Sequence, residues 1–227
     1  MASAGFFYWL GALEGIDIST KTQMMLKLVA AVLVAMGLLH SSALAQPAEV
    51  ILLRHGDKDP ERGDFNLSPR GFRRAVNLGR LLTACFGPID QIGSYTFTVD
   101  TDKNVRSYQT AMPLAVATGI NVEIFTDSAV STSSDGAELL QADWAQGKKV
   151  VLFWEHRRIP ALAAALGWEG MEPIDNDDFG GLYRLQYTPG NFVPEVTVAR
   201  QGDLFQKQCF LEADSPLPAV RLPQSGW

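Results

Sequence analysis

Residues 50–59 read VILLRHGDKD, and the reading of this stretch decides the fold. Val50, Ile51, Leu52 and Leu53 form a short apolar run of the kind found in a strand buried on both faces. Arg54, His55 and Gly56 follow at the point where the chain leaves its core. In open α/β sheets, ligands bind outside the carboxyl ends of the strands. A second stretch, VVLFWEHRRIPAL, repeats the pattern: the apolar residues Val150 to Trp154 lead straight into Glu155 and His156. If these two strands are neighbours, both imidazoles face one pocket.

Further strands are expected near 95–99 (Tyr95, Phe97, Val99), 122–125, 182–187 and 195–199. Helical patterns fall between the strands. Ser68-Pro69 is a helix start, with serine as N-cap and proline at the first helical position. Ala75, Leu78, Leu81 and Leu82 follow on one face, and Gly87-Pro88 ends the helix. Further helices are expected at about 104–118, 134–146 and 159–166, each closed by a glycine. The alternation predicts an α/β fold: a layered, mostly parallel β-sheet flanked by helices on both faces. The tail after Asp214 holds three prolines and is expected to lie extended on the surface.

The chain has 227 residues, 47% of them hydrophobic and 19% charged, an ordinary globular composition. Residues 28–39 form an apolar run of about 12 residues, short of the roughly 20 needed for a membrane span. Lys27 precedes the run, and Ala43 and Ala45 follow it as the small residues of an A-x-A cleavage site, the pattern of a secretory signal peptide. Residues 24–45 are read as that signal. Residues 1–23 are read as an extension from a start codon called too early, and 46–227 as a single domain with an extended tail. The domain keeps a net charge of −6, because residues 1–45 carry two lysines against Glu14 and Asp17. No basic stretch suggests nucleic acid or an anionic membrane surface, and no stable membrane insertion is expected after cleavage. Cys85 and Cys209 are the only cysteines; in an exported protein they form either one disulfide or two buried thiols.

The chain has three histidines, and His40 falls within the signal segment. His55 and His156 are therefore the domain's full complement, and both follow apolar strands. The segment NVRSYQTAMPLA places Arg106 in the first turn of the second helix. Free N–H groups and the positive dipole end there suit an anion. With Arg54 added, the site becomes a cationic cup matched to phosphate, since guanidinium offers planar bidentate donors.

RHG after a strand, LSPRG at 67–71, VRSYQTA at 105–111 and the late strand-to-histidine exit together resemble the histidine phosphatase superfamily, with its phosphoglycerate-mutase-like fold. The resemblance spans roughly Val50 to Tyr187. It implies that His55 takes the phosphoryl group, and that Arg54, Arg106 and His156 hold the phosphate oxygens. It implies a metal-independent phosphomonoesterase without cofactor, acting on a small phosphorylated substrate. In the mutase-like branch a glutamate donates the proton, and the stretch TDSAVSTSSDGAELL offers no clean counterpart. In the phytase-like branch an aspartate follows the second histidine, and here Arg157 stands in its place. The general acid stays open between Glu155, Asp135 and Glu138. Adjacent strand side chains point to opposite faces, so Glu155 can serve only if the chain has left the strand before it. A non-catalytic phospholigand-binding domain and a phosphomutase are the alternative functions.

Overall fold

The computed structural model describes residues 22–23, 25–29, 46–97, 104–125 and 131–207. The chain divides into two compact units, Met1–Ala43 and Leu44–Trp227. In the first, the described residues are helical and exposed; the extension and signal-peptide readings otherwise fall outside the described residues. Among the described residues no helix is long and apolar enough to cross a membrane. The expected extended tail after Asp214 also falls outside them.

The second unit is built on a six-stranded sheet. Its strands are β1 (Glu49–Arg54), β2 (Gln91–Ser94), β3 (Val122–Ile124), β4 (Lys149–Trp154), β5 (Gly181–Gln186) and β6 (Glu195–Arg200), in the spatial order β3-β2-β4-β1-β5-β6. The pairs β3–β2, β2–β4 and β4–β1 are parallel, while β1–β5 and β5–β6 are antiparallel. The helices are α1 (Pro69–Phe86), α2 (Val105–Thr118), α3 (Ser131–Gln141), α4 (Ile159–Ala165) and α5 (Gln201–Lys207).

Alternation along the central strands feeds two separate cores. Val50, Leu52, Val150, Leu152 and Trp154 pack with Leu139 of α3 and Ile159 and Leu162 of α4. Ile51, Leu53, Val151 and Phe153 face the other way, against Leu78 and Leu82 of α1, Leu114 of α2 and Leu204 of α5. With both faces covered, every residue of β1 is buried. This is why its apolar run is unbroken rather than alternating with polar residues.

Two expected elements are placed differently. The strand expected at 95–99 is β2, Gln91–Ser94, and Tyr95 and Phe97 follow it; Val99 falls outside the described residues. A Cβ on Gly93 would come within 2.5 Å of both Leu152 and Phe125. The strand therefore uses small residues to admit bulky neighbours, and its apolar signal is weak. The helix expected at 134–146 runs instead from Ser131 to Gln141. Ala142 then turns extended, and a short 3₁₀ turn covers Asp143–Ala145. Cys85 is disulfide-bonded; Cys209 falls outside the described residues.

The RHG segment and the LSPRG helix start meet backbone to backbone. Ser68 caps α1 through Gly71 N–H at 3.0 Å, and both its own N–H and its hydroxyl donate to the Asp57 carbonyl, at 2.9 and 3.1 Å. A Cβ on Gly71 would lie 2.2 Å from Asp57 O, and one on Gly56 would lie 2.8 Å from Gly71 O. Gly71→Ala is therefore expected to destabilise the domain by about 1–3 kcal/mol, the usual range for overpacking a tight contact. Gly202→Ala, on α5 with open space around it, should be neutral or slightly stabilising. Denaturant unfolding of the two variants side by side checks this contrast.

Candidate active site

Parallel pairing of β1 with β4 places Arg54 opposite Trp154, so both strands end at one level. Pairing continues one step further, with His55 N–H donating to Trp154 O at 3.2 Å. The chain has left the strand at Glu155, which removes the constraint that would have turned that side chain away from His156. Arg54, His55, Arg106, Glu155 and His156 all line one cavity of about 340 Å³. Lys58, Asp59, Asp64 and Arg157 line it as well.

His55 is buried, and its Nδ1 lies 2.8 Å from the Gly56 carbonyl oxygen. That carbonyl can only accept, so Nδ1 carries the hydrogen and Nε2 the lone pair. Burial pushes the imidazole down to about 3; the Gly56 carbonyl opposes this, while Arg54, Arg106 and His156 add to it. His55 is thus a neutral nitrogen base in a positively charged surrounding. Its position is held from two further sides. Gly56 N–H donates to Thr110 Oγ1 at 2.9 Å, and that hydroxyl donates to Arg106 O in α2. The Phe179 ring lies 5.9 Å from the imidazole, centroid to centroid.

Arg54 is 2% exposed and makes more bonds to protein than the sequence foretells. Nη1 donates to the carbonyls of Asp175 and Asp178, at 2.9 and 2.7 Å, and Nη2 donates to that of Asn176 at 2.9 Å. The guanidinium lies 3.8 Å from the centroid of the Phe179 ring. Burial lowers it to about 10, against the opposing pull of Glu155, Asp178, Asp177 and Asp57, so it stays charged at neutral pH. Three of its five N–H donors are committed, and Nε has no partner among the described residues. Arg106 likewise donates to the carbonyls of Asp64 and Asn66, pinning the loop that closes the cavity, and keeps three N–H donors for other use. Burial lowers its pKa and Asp64 opposes the shift. Gln109 fastens the same loop, accepting from Leu67 N–H and donating to Asn66.

The second histidine has a contact at each nitrogen. His156 Nε2 lies 2.9 Å from Asn176 Oδ1. Nδ1 lies 2.9 Å from Glu155 Oε1, at ion-pair distance but without the alignment of a hydrogen bond. Glu155 accepts from Arg157 through both oxygens, from Nε at 3.0 Å and from the backbone N–H at 3.1 Å. Burial lowers the His156 pKa, and Asn176 opposes this most strongly.

Asp135 and Glu138, the other acid candidates, are not among the cavity's lining residues. Asp135 is buried on α3, the helix whose Gly136 meets Ala165 and Leu162 of α4. Sequence reasoning missed Thr110, Asn176 and Phe179. The run DNDDFGG at 175–181 carried a turn signal in its Asp and Asn content. Nothing in it announced contact with Arg54 and His156. Among the described residues no group of three or more His, Cys, Asp or Glu side chains is placed to hold a metal ion.

Two predictions rest on these environments. The imidazole of His55 should remain neutral, with its hydrogen on Nδ1, at every pH above about 4; a ¹⁵N-resolved NMR titration showing a midpoint near 6.5 would contradict this. Asp135 is pushed up to about 6 by burial, with Glu138 adding to the shift. A carboxyl raised in the fold contributes stability below its unfolded value of 3.8 and loses it as pH rises through about 6. Asp135→Asn should therefore stabilise the protein at pH 7 by up to about 3 kcal/mol, with the gain vanishing below pH 4 and turnover unchanged. Thermal unfolding at pH 7 and pH 4 tests it.

No family model and no curated protein matches the chain. Among solved structures, the protein histidine phosphatase SixA complexed with tungstate superposes with a TM-score of 0.52 at 13% identity, over 69% of this chain and 99% of that one. A structure named mycobacterial hydrolase 1 aligns at 20% identity with a TM-score of 0.47, covering 67% of this chain and 97% of its own. Mycobacterial glucosyl-3-phosphoglycerate phosphatase aligns at 20% identity with a TM-score of 0.45 and the same two coverages. The superposition on SixA establishes that the chain has the fold of the histidine phosphatases, the phosphoglycerate-mutase-like layered sheet.

Proposed function

We propose that the chain is an exported phosphomonoesterase of the histidine phosphatase superfamily, working through a phosphohistidine on His55 without a metal. One observation carries the reading: a neutral histidine, its Nδ1 committed to a backbone carbonyl, shares a single cavity with Arg54, Arg106 and His156. The SixA neighbour, named as a protein histidine phosphatase and solved with a tetrahedral oxyanion, supports it.

In the proposed reaction His55 Nε2 attacks phosphorus and the bond from phosphorus to the leaving oxygen breaks. Uncommitted N–H donors of Arg54 and Arg106 take the charge on the remaining phosphoryl oxygens, as preorganised donors do in in-line transfer. The departing alkoxide takes a proton from the Glu155–His156 pair, whose atoms lie 2.9 Å apart. Water then attacks the phosphohistidine, releases phosphate and returns a proton to that pair. The substrate is a small phosphorylated molecule; with a net charge of −6 the chain has no electrostatic case for nucleic acid.

His55→Ala should abolish turnover of p-nitrophenyl phosphate while leaving the fold intact, because it removes the attacking nitrogen. Undiminished turnover would sink the mechanism, and absence of turnover in the wild type would leave a phospholigand-binding domain. Glu155→Gln should slow alkyl phosphates by about 10²–10⁴-fold and p-nitrophenyl phosphate hardly at all, since nitrophenolate leaves without a proton. Equal slowing of both substrates would limit Glu155 to holding His156 and Arg157. Export is tested separately: N-terminal sequencing of the secreted protein should begin at Gln46 or within a residue or two, and a retained Met1 would overturn it.

A further inference from the structure

Among the described residues the His156 ring has no backbone partner, and its two contacts are side chains from different parts of the chain. One is Glu155, its own neighbour. The other is Asn176, from a tight turn in which Asp178 N–H donates to Asp175 O at 3.0 Å. The turn is fixed at both ends. The carbonyls of Asp175, Asn176 and Asp178 accept from Arg54, and the Asp178 carboxylate is gripped by Arg200 at 2.6 and 2.7 Å. Asn176 therefore presents its carboxamide to His156 Nε2 from a rigid base, at 2.9 Å.

The partner is a carboxamide, and that has a chemical consequence. A carboxylate in that place would favour the imidazolium, and an apolar side chain would leave Nε2 unpaired. A carboxamide can accept from Nε2–H, or turn over and donate N–H to an Nε2 lone pair. Among these it alone accepts from Nε2–H without a charge that biases the ring toward the imidazolium. A ring that gives up and recovers a proton through Nδ1 keeps its hydrogen on Nε2 throughout, and Asn176 Oδ1 can accept from it in both states.

Resting on the phosphatase reading above, we propose that Asn176 is the positioning residue for His156, holding its ring through both protonation states with Nδ1 against Glu155 at the cavity wall. The charged and titratable groups lining the cavity with His156 are Arg54 and His55 at the end of β1, Lys58, Asp59 and Asp64 on the loop that follows, Arg106 at the start of α2, and Glu155 and Arg157 on its own turn. Asn176 itself is neutral. Arg54 and Arg157 disfavour the imidazolium, Glu155 favours it, and burial outweighs them. The Asn176 bond acts against that burial.

The test compares Asn176→Ala and Asn176→Asp with wild type in the full chain. Both variants keep the backbone carbonyl that Arg54 uses, so the loop's grip on Arg54 is retained. NMR titration of His156 in the protein without substrate should give a midpoint below wild type in Asn176→Ala and above it in Asn176→Asp. The Ala variant should lose about tenfold in kcat for alkyl phosphates, one hydrogen bond's worth of ring positioning. Its Ki for inorganic phosphate should change less than its kcat, and the alkaline limb of its pH–rate profile should move down with the His156 midpoint. A His156 midpoint unchanged in both variants overturns the proposal whatever the activity. So does a loss of kcat in Asn176→Ala that is matched by an equal fall in thermal stability and an unmoved pH profile, since that is a merely structural role. Failure of the phosphatase reading would appear differently: turnover surviving in His55→Ala, with the His156 titrations unaffected.

Discussion

The candidate site depends on one contact between two pieces of backbone, where the RHG segment leaves β1 and α1 begins. The Asp57 carbonyl accepts from Ser68, and Gly56 and Gly71 pass each other with no room for a Cβ on either. Two glycines and a serine cap are what this closeness requires, and they are the residues that punctuate RHG and LSPRG. The contact places Gly56 N–H against Thr110 on α2, and so ties the first strand's exit to the helix that carries Arg106. Spreading the contact by the width of a methyl group would move His55 relative to that arginine. The motifs are in this sense packing instructions first, and the chemistry follows from the packing.

This explains which parts of the molecule were legible in the sequence. β1 and β4 were plain because both faces are buried and their apolar runs are continuous. Their adjacency, which brings His55 and His156 to one cavity, stood in the sequence only as a condition, and the parallel pairing of β1 with β4 meets it. α1 was readable from Ser68-Pro69 and Gly87, since caps are local chemistry. β2 was misplaced for an equally physical reason. Its Gly93 is small because Leu152 and Phe125 fill the space a side chain would need, so the aromatics that follow at Tyr95 and Phe97 carried the stronger strand signal. α3 stops at Gln141 although the stretch up to Gly147 contains nothing that forbids a helix, and tertiary packing sets that boundary.

The turn at 175–179 was illegible for a different reason. It holds Arg54 through three backbone carbonyls, and a carbonyl leaves no trace in residue identity. A charge as buried as that of Arg54 costs several kcal/mol unless its donors are met, so some segment had to supply acceptors. The sequence could pose that requirement but could not say which loop answers it. The consequence for the site is substantial. An arginine expected to hold phosphate oxygens spends three of its five donors on its own protein, with the Phe179 ring against its face. Fewer free donors, held in place, suit a defined oxyanion better than a mobile fork would.

The same charges meet two demands that usually conflict. A nucleophilic histidine must stay unprotonated, and a phosphoryl group arriving beside it must find positive charge. Burial supplies most of the first, and Arg54, Arg106 and His156 add to it by repelling a proton from His55. For a dianion the sign reverses, and Arg54 and Arg106 attract what they deny the proton. A proton donor placed among them would be discharged by the same field, or would be drawn into ion pairs with the arginines. The carboxylate that lines the cavity at the second strand's exit is held differently. Glu155 has Arg157 bound to both its oxygens and His156 Nδ1 2.9 Å from one of them. In the proposed reaction the leaving oxygen draws its proton from this pair, the imidazole of His156 in contact with the Glu155 carboxylate.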